Sequence, residues 1–269
     1  MKIELKEITD KTKKIAIKTG NFLKNERENF DASKIIEKNS HDYVSYVDQE
    51  AEKLIINELS SVLPSAGFIT EEGIGKYNGE KYYWVIDPLD GTTNFIHDNA
   101  PYCVSIALMQ EKEIIVAVIY EVCRDECFYA YKGGGAYLND KPIHVSHIKD
   151  IDQSLIGLDL PYESQKYKPL INHLINNLYG KASSIRLNGS AAISLCYVAC
   201  GRYEIWAEAF IKTWDYSAGI LIVEEAGGLI TDYSGKPFVW GGHHIVASNG
   251  HTHSYFCNLL KSFLKEIKE

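Results

Sequence analysis

The chain has 269 residues, enough for one large domain or two closely packed halves. Its 45% hydrophobic and 24% charged residues exclude a disordered or collagen-like chain. A net charge of −8 argues against broad wrapping of nucleic acid, and no direct nucleic-acid partner is expected. No apolar run approaches the ~18 residues of a membrane span, so no membrane association is expected. The opening MKIELKEITDKTKK lacks the apolar centre of a signal peptide. Six cysteines without CxxC spacing read as reduced core thiols, which places the protein in the cytoplasm.

Residues 3–30 carry a loose helical stripe of Leu5, Ile8, Ile15, Phe22 and Leu23. A second helix is expected over 48–63, with Ala51, Ile55, Leu59 and Leu63 at i, i+4 and Pro64 at the exit. The period then changes. The aromatic and β-branched run 82–86 reads as a buried strand, and 104–109, 114–122 and 127–131 continue as strands. The second half alternates: strand 155–160, helix 169–178, helix 190–199, strand 203–207, helix 214–226, strands 229–232 and 245–248, and a closing helix 251–268. This is not the regular alternation of a doubly wound fold. It predicts an α+β layered sandwich, with halves of about 1–145 and 146–269 each supplying a sheet.

The segment Trp84-Val85-Ile86-Asp87-Pro88-Leu89-Asp90-Gly91-Thr92-Thr93 is the most informative. A buried strand delivers Asp87, and Pro88 holds the chain extended there. Two carboxylates three residues apart on a stiff loop can converge on one point, with the Leu89 carbonyl between them. Gly91, Thr92 and Thr93 then open a helical turn whose N–H groups suit an anion. The plainer alternative is a polar surface turn, since Asp, Pro and Gly all form turns. Asp48, Glu71 and Asp215 add further acids, though Asp48 and Asp215 could serve as helix N-caps and Glu71 as a loop acid. If the acids cluster, carboxylates ~4 Å apart repel by about 4 kcal/mol at an effective dielectric of about 20. They then need a cation. Oxygen donors without Cys or His favour Mg²⁺ over Zn²⁺, and Mg²⁺ beside an anion cradle makes a phosphate site.

Five blocks fall in the order found in a known family: 42–48, 68–72, 84–95, 189–192 and 214–219. The chain resembles the inositol monophosphatases, within the lithium-sensitive, Mg²⁺-dependent sugar-phosphatase superfamily, over nearly its whole length. The resemblance implies an αβαβα sandwich of the sugar-phosphatase type, a homodimer, and a small phosphate ester as substrate. By resemblance, Glu71, Asp87, the Leu89 carbonyl, Asp90 and Asp215 match the metal ligands. Asp48 and Thr92 match the pair that positions and activates the attacking water, and Glu71 shares in the catalysis. Gly91 and Thr92 match the phosphate-holding backbone. Gly189, Ser190, Ala191 and Glu208 match the wall that receives the alcohol, with Asp90 and Asp215 also facing substrate. A family loop lysine finds its nearest match in Lys38, one residue short in its spacing to Asp42. Thr93-Asn94-Phe95 resembles the inositol branch rather than the nucleotide branch, which carries a charged pair there, and hydrolysis of 3′-phosphoadenosine 5′-phosphate or fructose 1,6-bisphosphate stays as the alternative within the superfamily. Some bacterial relatives also contact transcription machinery, which keeps a regulatory binding role as an alternative.

Other motifs are weaker. A haloacid-dehalogenase-like phosphatase uses D-x-D, whereas this chain has D-x-x-D. An EF-hand loop lacks its D-x-D-x-D spacing here and would end on Asp98. Gly133-Gly134-Gly135 lies between strands without G-x-G-x-x-G and reads as a hairpin turn. His243-His244 and His251-x-His253 read as a solvated loop or helix start. Cys196 and Cys200 read as small core residues.

Overall fold

A computed structural model describes residues 4–30, 36–39, 42–44, 46–161 and 163–266. The first helix, α1 (Leu5–Glu28), is followed by two short strands, β1 (Ile36–Asn39) and β2 (Asp42–Val44), and by α2 (Tyr46–Val62). Seven strands then form one sheet in the order β3 (Gly67–Thr70), β4 (Tyr82–Asp90), β5 (Cys103–Gln110), β6 (Glu113–Glu121), β7 (Glu126–Tyr131), β8 (Ala136–Leu138) and β9 (Lys141–Pro142). The five-residue helix α3 (Thr92–Ile96) interrupts it after β4.

The second sheet has five strands. In chain order these are β10 (Leu155–Leu158), β11 (Ser184–Arg186), β12 (Ile205–Ala209), β13 (Leu229–Thr231) and β14 (His244–Ser248), arranged β11-β10-β12-β14-β13. The helices α4 (Ser164–Leu178), α5 (Ala191–Ala199), α6 (Thr213–Glu225) and α7 (His253–Glu266) complete it.

The alternation of strand side chains sorts these elements into layers. Trp84 and Ile86 of β4 pack with Ile8, Ile15, Leu23, Ile55 and Leu59 of α1 and α2. Tyr83 and Val85 point the other way, into a core shared with α5, α6 and the Trp206, Ile245 and Ala247 face of the second sheet. The opposite face of that sheet, with Leu158, Ala207 and Val246, packs on Leu170 and Leu174 of α4 and Phe256 and Leu260 of α7. Helix pair, sheet, helix pair, sheet and helix pair follow in turn, the expected αβαβα sandwich. α5 and α6 lie in the middle layer and are apolar almost all round, as a helix between two sheets must be.

Several boundaries differ from expectation. Helix α4 starts five residues before Pro169 and runs through it. Proline removes one backbone bond, but Tyr167, Leu170, Leu174 and Leu178 bury a continuous face that spans the site of the loss. Strand β12 lies two residues later than expected. His253 is buried, its two ring nitrogens within hydrogen-bond reach of Ser248 Oγ (2.8 Å) and Thr231 Oγ1 (2.9 Å), so it is a core helix start rather than a solvated one. His244 lies in β14 between the rings of Tyr167 and Tyr233. Cys123 is exposed, unlike the other thiols, and all six cysteines are free. The glycine triplet does turn between β7 and β8, and the Gly133 and Gly135 N–H groups donate to the Glu225 carboxylate at 2.7 and 2.8 Å. Among the described residues no helix is long and apolar enough to cross a membrane.

Candidate active site

The site is built on a flaw in β4. Asp87 pairs with Ser105 of β5 and Asp90 with Cys103, so three steps on one strand face two on the other. In a regular strand, residues three apart point to opposite faces. The extra residue cancels that reversal and turns Asp87 and Asp90 to the same side. Pro88 sits inside the irregularity, where a missing N–H costs little. Expectation had the strand ending at Ile86; it continues through Asp90, and the bulge does what a loop was expected to do.

That side faces the N-terminal ends of α5 and α6. Asp90 Oδ2 accepts the Ser190 hydroxyl and the Ala192 N–H (3.0 Å), with the Cys103 thiol 3.6 Å away. Ser190 is the N-cap of α5 and its oxygen also accepts the Ile193 N–H at 3.3 Å. Asp215 lies in the first turn of α6, where its Oδ2 accepts the Lys212 N–H at 2.8 Å. It is therefore the third residue of the helix rather than its N-cap. Glu71 follows β3, its N–H bonded to the Ile86 carbonyl at 3.2 Å, and its side chain hydrogen-bonds Asp87.

Burial and neighbouring acids raise the carboxyls of this group. Burial pushes Asp87 well above the usual carboxylate range, and Glu71, Asp90 and Asp215 push it further. Asp90 is raised to about 6, chiefly by burial, despite the hydroxyl and N–H donors that oppose the shift. Glu208, on β12 and half-buried, is raised by burial and then by Asp159, Asp215 and Asp90. Asp48, Asp87 and Asp90 are buried while Glu71, Thr92, Glu208 and Asp215 are partly exposed, so the acids form the floor and rim of an opening.

Asp48 lies in the first turn of α2 and is 1% exposed. The Thr92 hydroxyl is 3.1 Å from Asp48 Oδ1 and 3.0 Å from the Leu89 carbonyl, two acceptors for one hydrogen. Gly91 precedes α3 with φ +90°, and a Cβ there would meet the Pro101 carbonyl at 3.0 Å and the Gly189 carbonyl at 3.3 Å. Glycine is thus required twice over at this position, by conformation and by space. Gly189, itself at φ +69°, and Ala191 bracket Ser190. Lys38 lies in β1, and its side chain is outside the described residues.

Glu52 and Asp159 support the site and were not anticipated, and Asn94 was expected only as part of the Thr93-Asn94-Phe95 motif. Glu52, fully buried on α2, accepts the Glu72 and Ile74 N–H groups at 2.8 Å each and so fixes the loop that carries Glu71. Asp159 accepts the Asn188 and Gly189 N–H groups (3.2 and 2.8 Å), the Ser194 hydroxyl (3.1 Å) and the Trp206 indole N–H (2.8 Å). Asn94 donates its amide to the Pro101 and Asn188 carbonyls at 2.8 and 2.9 Å. The i, i+4 placement of Glu52 after Asp48 was the one sequence signal available. Asp48 and Glu52 are two acids on the otherwise apolar, buried face of α2.

Among the described residues no three Asp, Glu, His or Cys side chains already stand as a closed metal cage. The donor set nonetheless suits a hard divalent cation: the strongest neighbours of a buried carboxylate are three more carboxylates, with the Leu89 carbonyl in the same strand.

Helices and sheets layered in the order αβαβα are the architecture of the sugar-phosphatase fold. The chain matches the inositol monophosphatase family over residues 4–265 and belongs to it. It is 40% identical over 222 residues to the Nus factor SuhB of Xylella fastidiosa, covering 82% of this chain and 80% of that one. It is 37% identical over 236 residues to the Nus factor SuhB of Escherichia coli K12, covering 87% and 88%. Among solved structures it is similar to the extragenic suppressor protein suhB of Bartonella henselae, with a TM-score of 0.89, 35% identity and coverage of 95% and 98%. It is also similar to the IMPase of Thermotoga maritima, with a TM-score of 0.88, 29% identity and coverage of 96% and 98%. Family and fold together support a phosphatase of this superfamily, in a family whose members are generally metal-dependent.

Proposed function

We propose that this protein is a Mg²⁺-dependent phosphomonoesterase that releases phosphate from inositol monophosphate. The observation that carries the reading is the convergence of Glu71, Asp87, Asp90 and Asp215 beside the Asp48–Thr92 pair. Glu71, Asp87, the Leu89 carbonyl, Asp90 and Asp215 would hold Mg²⁺, which when bound neutralises these acids, activates water and stabilises the departing oxygen. The residues of the chain do the rest. Asp48 orients the Thr92 hydroxyl, and Thr92 Oγ1 takes a proton from the attacking water as its own passes to Asp48 Oδ1. The Gly91 and Thr92 backbone holds the phosphate. Ser190 keeps Asp90 in place through its hydroxyl, while Gly189 and Ala191 shape the wall for the alcohol. Glu208 accepts a hydroxyl of the polyol.

An inositol-type alcohol is favoured over a nucleotide because Thr93-Asn94-Phe95 resembles the inositol branch, where the nucleotide branch carries a charged pair. A second reading draws on the relatives named Nus factor SuhB: the chain also serves as a binding protein for transcription machinery. Phosphate release from inositol 1-phosphate, fructose 1,6-bisphosphate and 3′-phosphoadenosine 5′-phosphate, each with and without Mg²⁺, tests both. Mg²⁺-dependent release fastest from inositol 1-phosphate supports the phosphatase. No release from any of the three by folded protein leaves the binding role alone. A preference for the nucleotide overturns the inositol assignment.

A further inference from the structure

Strand β5 meets the acids of β4 along one face. Ser105 stands opposite Asp87 and Cys103 opposite Asp90, so the bulge leaves one polar β5 side chain facing each acid. Directly opposite residues of an antiparallel pair share a face, with Cβ atoms ~4.5–5.5 Å apart. One of the two pairs is in contact. The Cys103 thiol lies 3.6 Å from Asp90 Oδ2 and 3.9 Å from the Ser190 hydroxyl. Asp90 thereby collects donors from Cys103, Ser190 and Ala192.

The other pair is incomplete. Ser105 is 1% exposed, and its hydroxyl has no hydrogen-bond partner among the described residues. Such orphans are uncommon in native folds and call for a reason. The surroundings offer few remedies. Val85, Ala107 and Ile119 make the rest of this surface apolar. Of the two cross-strand partners of Ser105, Ile119 and Asp87, only the second has a side chain that can accept a hydrogen bond. Asp87 Oδ1 accepts the Leu89 N–H at 3.0 Å, and Glu71 hydrogen-bonds the same carboxyl.

We propose that Ser105 is a positioning residue for the cation site: its hydroxyl donates to Asp87 when that carboxylate turns to a divalent cation. This role presupposes that the acids hold Mg²⁺, as proposed above. A carboxylate that ligates a metal is itself held by hydrogen bonds from behind, which fix its direction. Asp90 has that support from Ser190, Ala192 and Cys103. Ser105 supplies the matching donor to Asp87 from the same strand as Cys103. One hydroxyl does not neutralise the charge that Glu71, Asp90 and Asp215 oppose. It sets the direction in which the carboxylate meets the cation. Ser105 acts through Asp87 and touches neither substrate nor reacting atoms.

Removal of the hydroxyl should act in opposite directions with and without the cation. Without it, Ser105→Ala deletes a buried group that has no partner, which costs nothing or stabilises. With it, the same change deletes a donor to a metal ligand. Calorimetric titration of EDTA-treated, dialysed protein with Mg²⁺, and melting temperatures in EDTA, read the two effects. Ser105→Ala is expected to bind Mg²⁺ about tenfold more weakly than the wild type. In EDTA it should melt at the same temperature or higher. Ser105→Cys, with a weaker donor of similar size, should bind between the two. The Mg²⁺ concentration for half-maximal phosphate release should rise in the same order, with little change in kcat at saturation. Equal Mg²⁺ affinity in wild type and Ser105→Ala overturns the proposal and leaves the cation reading standing. So does a lower melting temperature of Ser105→Ala in EDTA, the sign of a hydroxyl that stabilises the fold without the cation. No Mg²⁺ binding by the wild type overturns both.

Discussion

Asp159 and Asp87 are both buried carboxylates, and they are buried in opposite company. Asp159 accepts four hydrogen bonds, two from backbone N–H groups of the Asn188–Gly189 turn and two from Ser194 and Trp206. Burial raises its pKa and all four donors oppose the rise. Asp87 accepts the Leu89 N–H at 3.0 Å and is otherwise surrounded by Glu71, Asp90 and Asp215, each of which raises its pKa further. Burial is common to the two and does not mark function. The first acid is satisfied by the fold that surrounds it, whereas the second has been placed where only a cation or a proton can satisfy it.

Substitution should separate the two in opposite directions. Asp87→Asn is expected to lower Mg²⁺-dependent phosphate release by about a thousandfold. In chelator its melting temperature should equal or exceed that of the wild type, since a repulsive charge has gone. Asp159→Asn should do the reverse. It places an amide among four donors and is expected to cost about 2 kcal/mol in urea unfolding, with a smaller loss of activity per folded molecule. Destabilisation by Asp87→Asn in chelator would erase the distinction.

Thr92→Val removes the hydroxyl between Asp48 and the Leu89 carbonyl. A fall in kcat of about a hundredfold is expected, largely recovered in Thr92→Ser. Glu52→Gln keeps one of the two acceptors that fix the Glu71 loop. About tenfold weaker Mg²⁺ activation is expected, read as the Mg²⁺ concentration for half-maximal rate, with little change at saturation.

The smallest effect concerns His253, far from the acids. Burial, and then Lys261, lowers its pKa from 6.5. Below 6.5 the unfolded chain takes up the proton before the folded one does, so stability is lost as pH falls through that value. Between about pH 7 and about pH 5 the wild-type melting temperature should fall more steeply than that of His253→Gln. Parallel slopes would remove His253 from the account of acid sensitivity.

The sequence made some of this arrangement legible and hid the rest for physical reasons. The run from Trp84 to Thr93 announced a buried strand, two acids and a glycine turn, because each residue there has a strong local preference. The bulge that aligns Asp87 with Asp90 was not legible. It exists only against Ser105 and Cys103 on a partner strand. Asp159 was hidden likewise, since its four donors come from a turn, α5 and β12. The alternation of elements gave a layered sandwich with a sheet in each half, and the αβαβα order came from the family resemblance. Short strands such as β8 and β11 carry too few residues to show a period and owe their form to their neighbours. Pro169 misled because its local preference for a helix start was overridden by the buried face of α4.

Anomalous diffraction from crystals grown with Mn²⁺ in place of Mg²⁺ tests most directly whether the acids at the end of β4 are a cation site. A peak bounded by oxygens of Glu71, Asp87, Asp90 and Asp215, with the Glu71–Asp87 hydrogen bond opened, is the expected result. No peak there at saturating Mn²⁺, with that hydrogen bond intact, would contradict it.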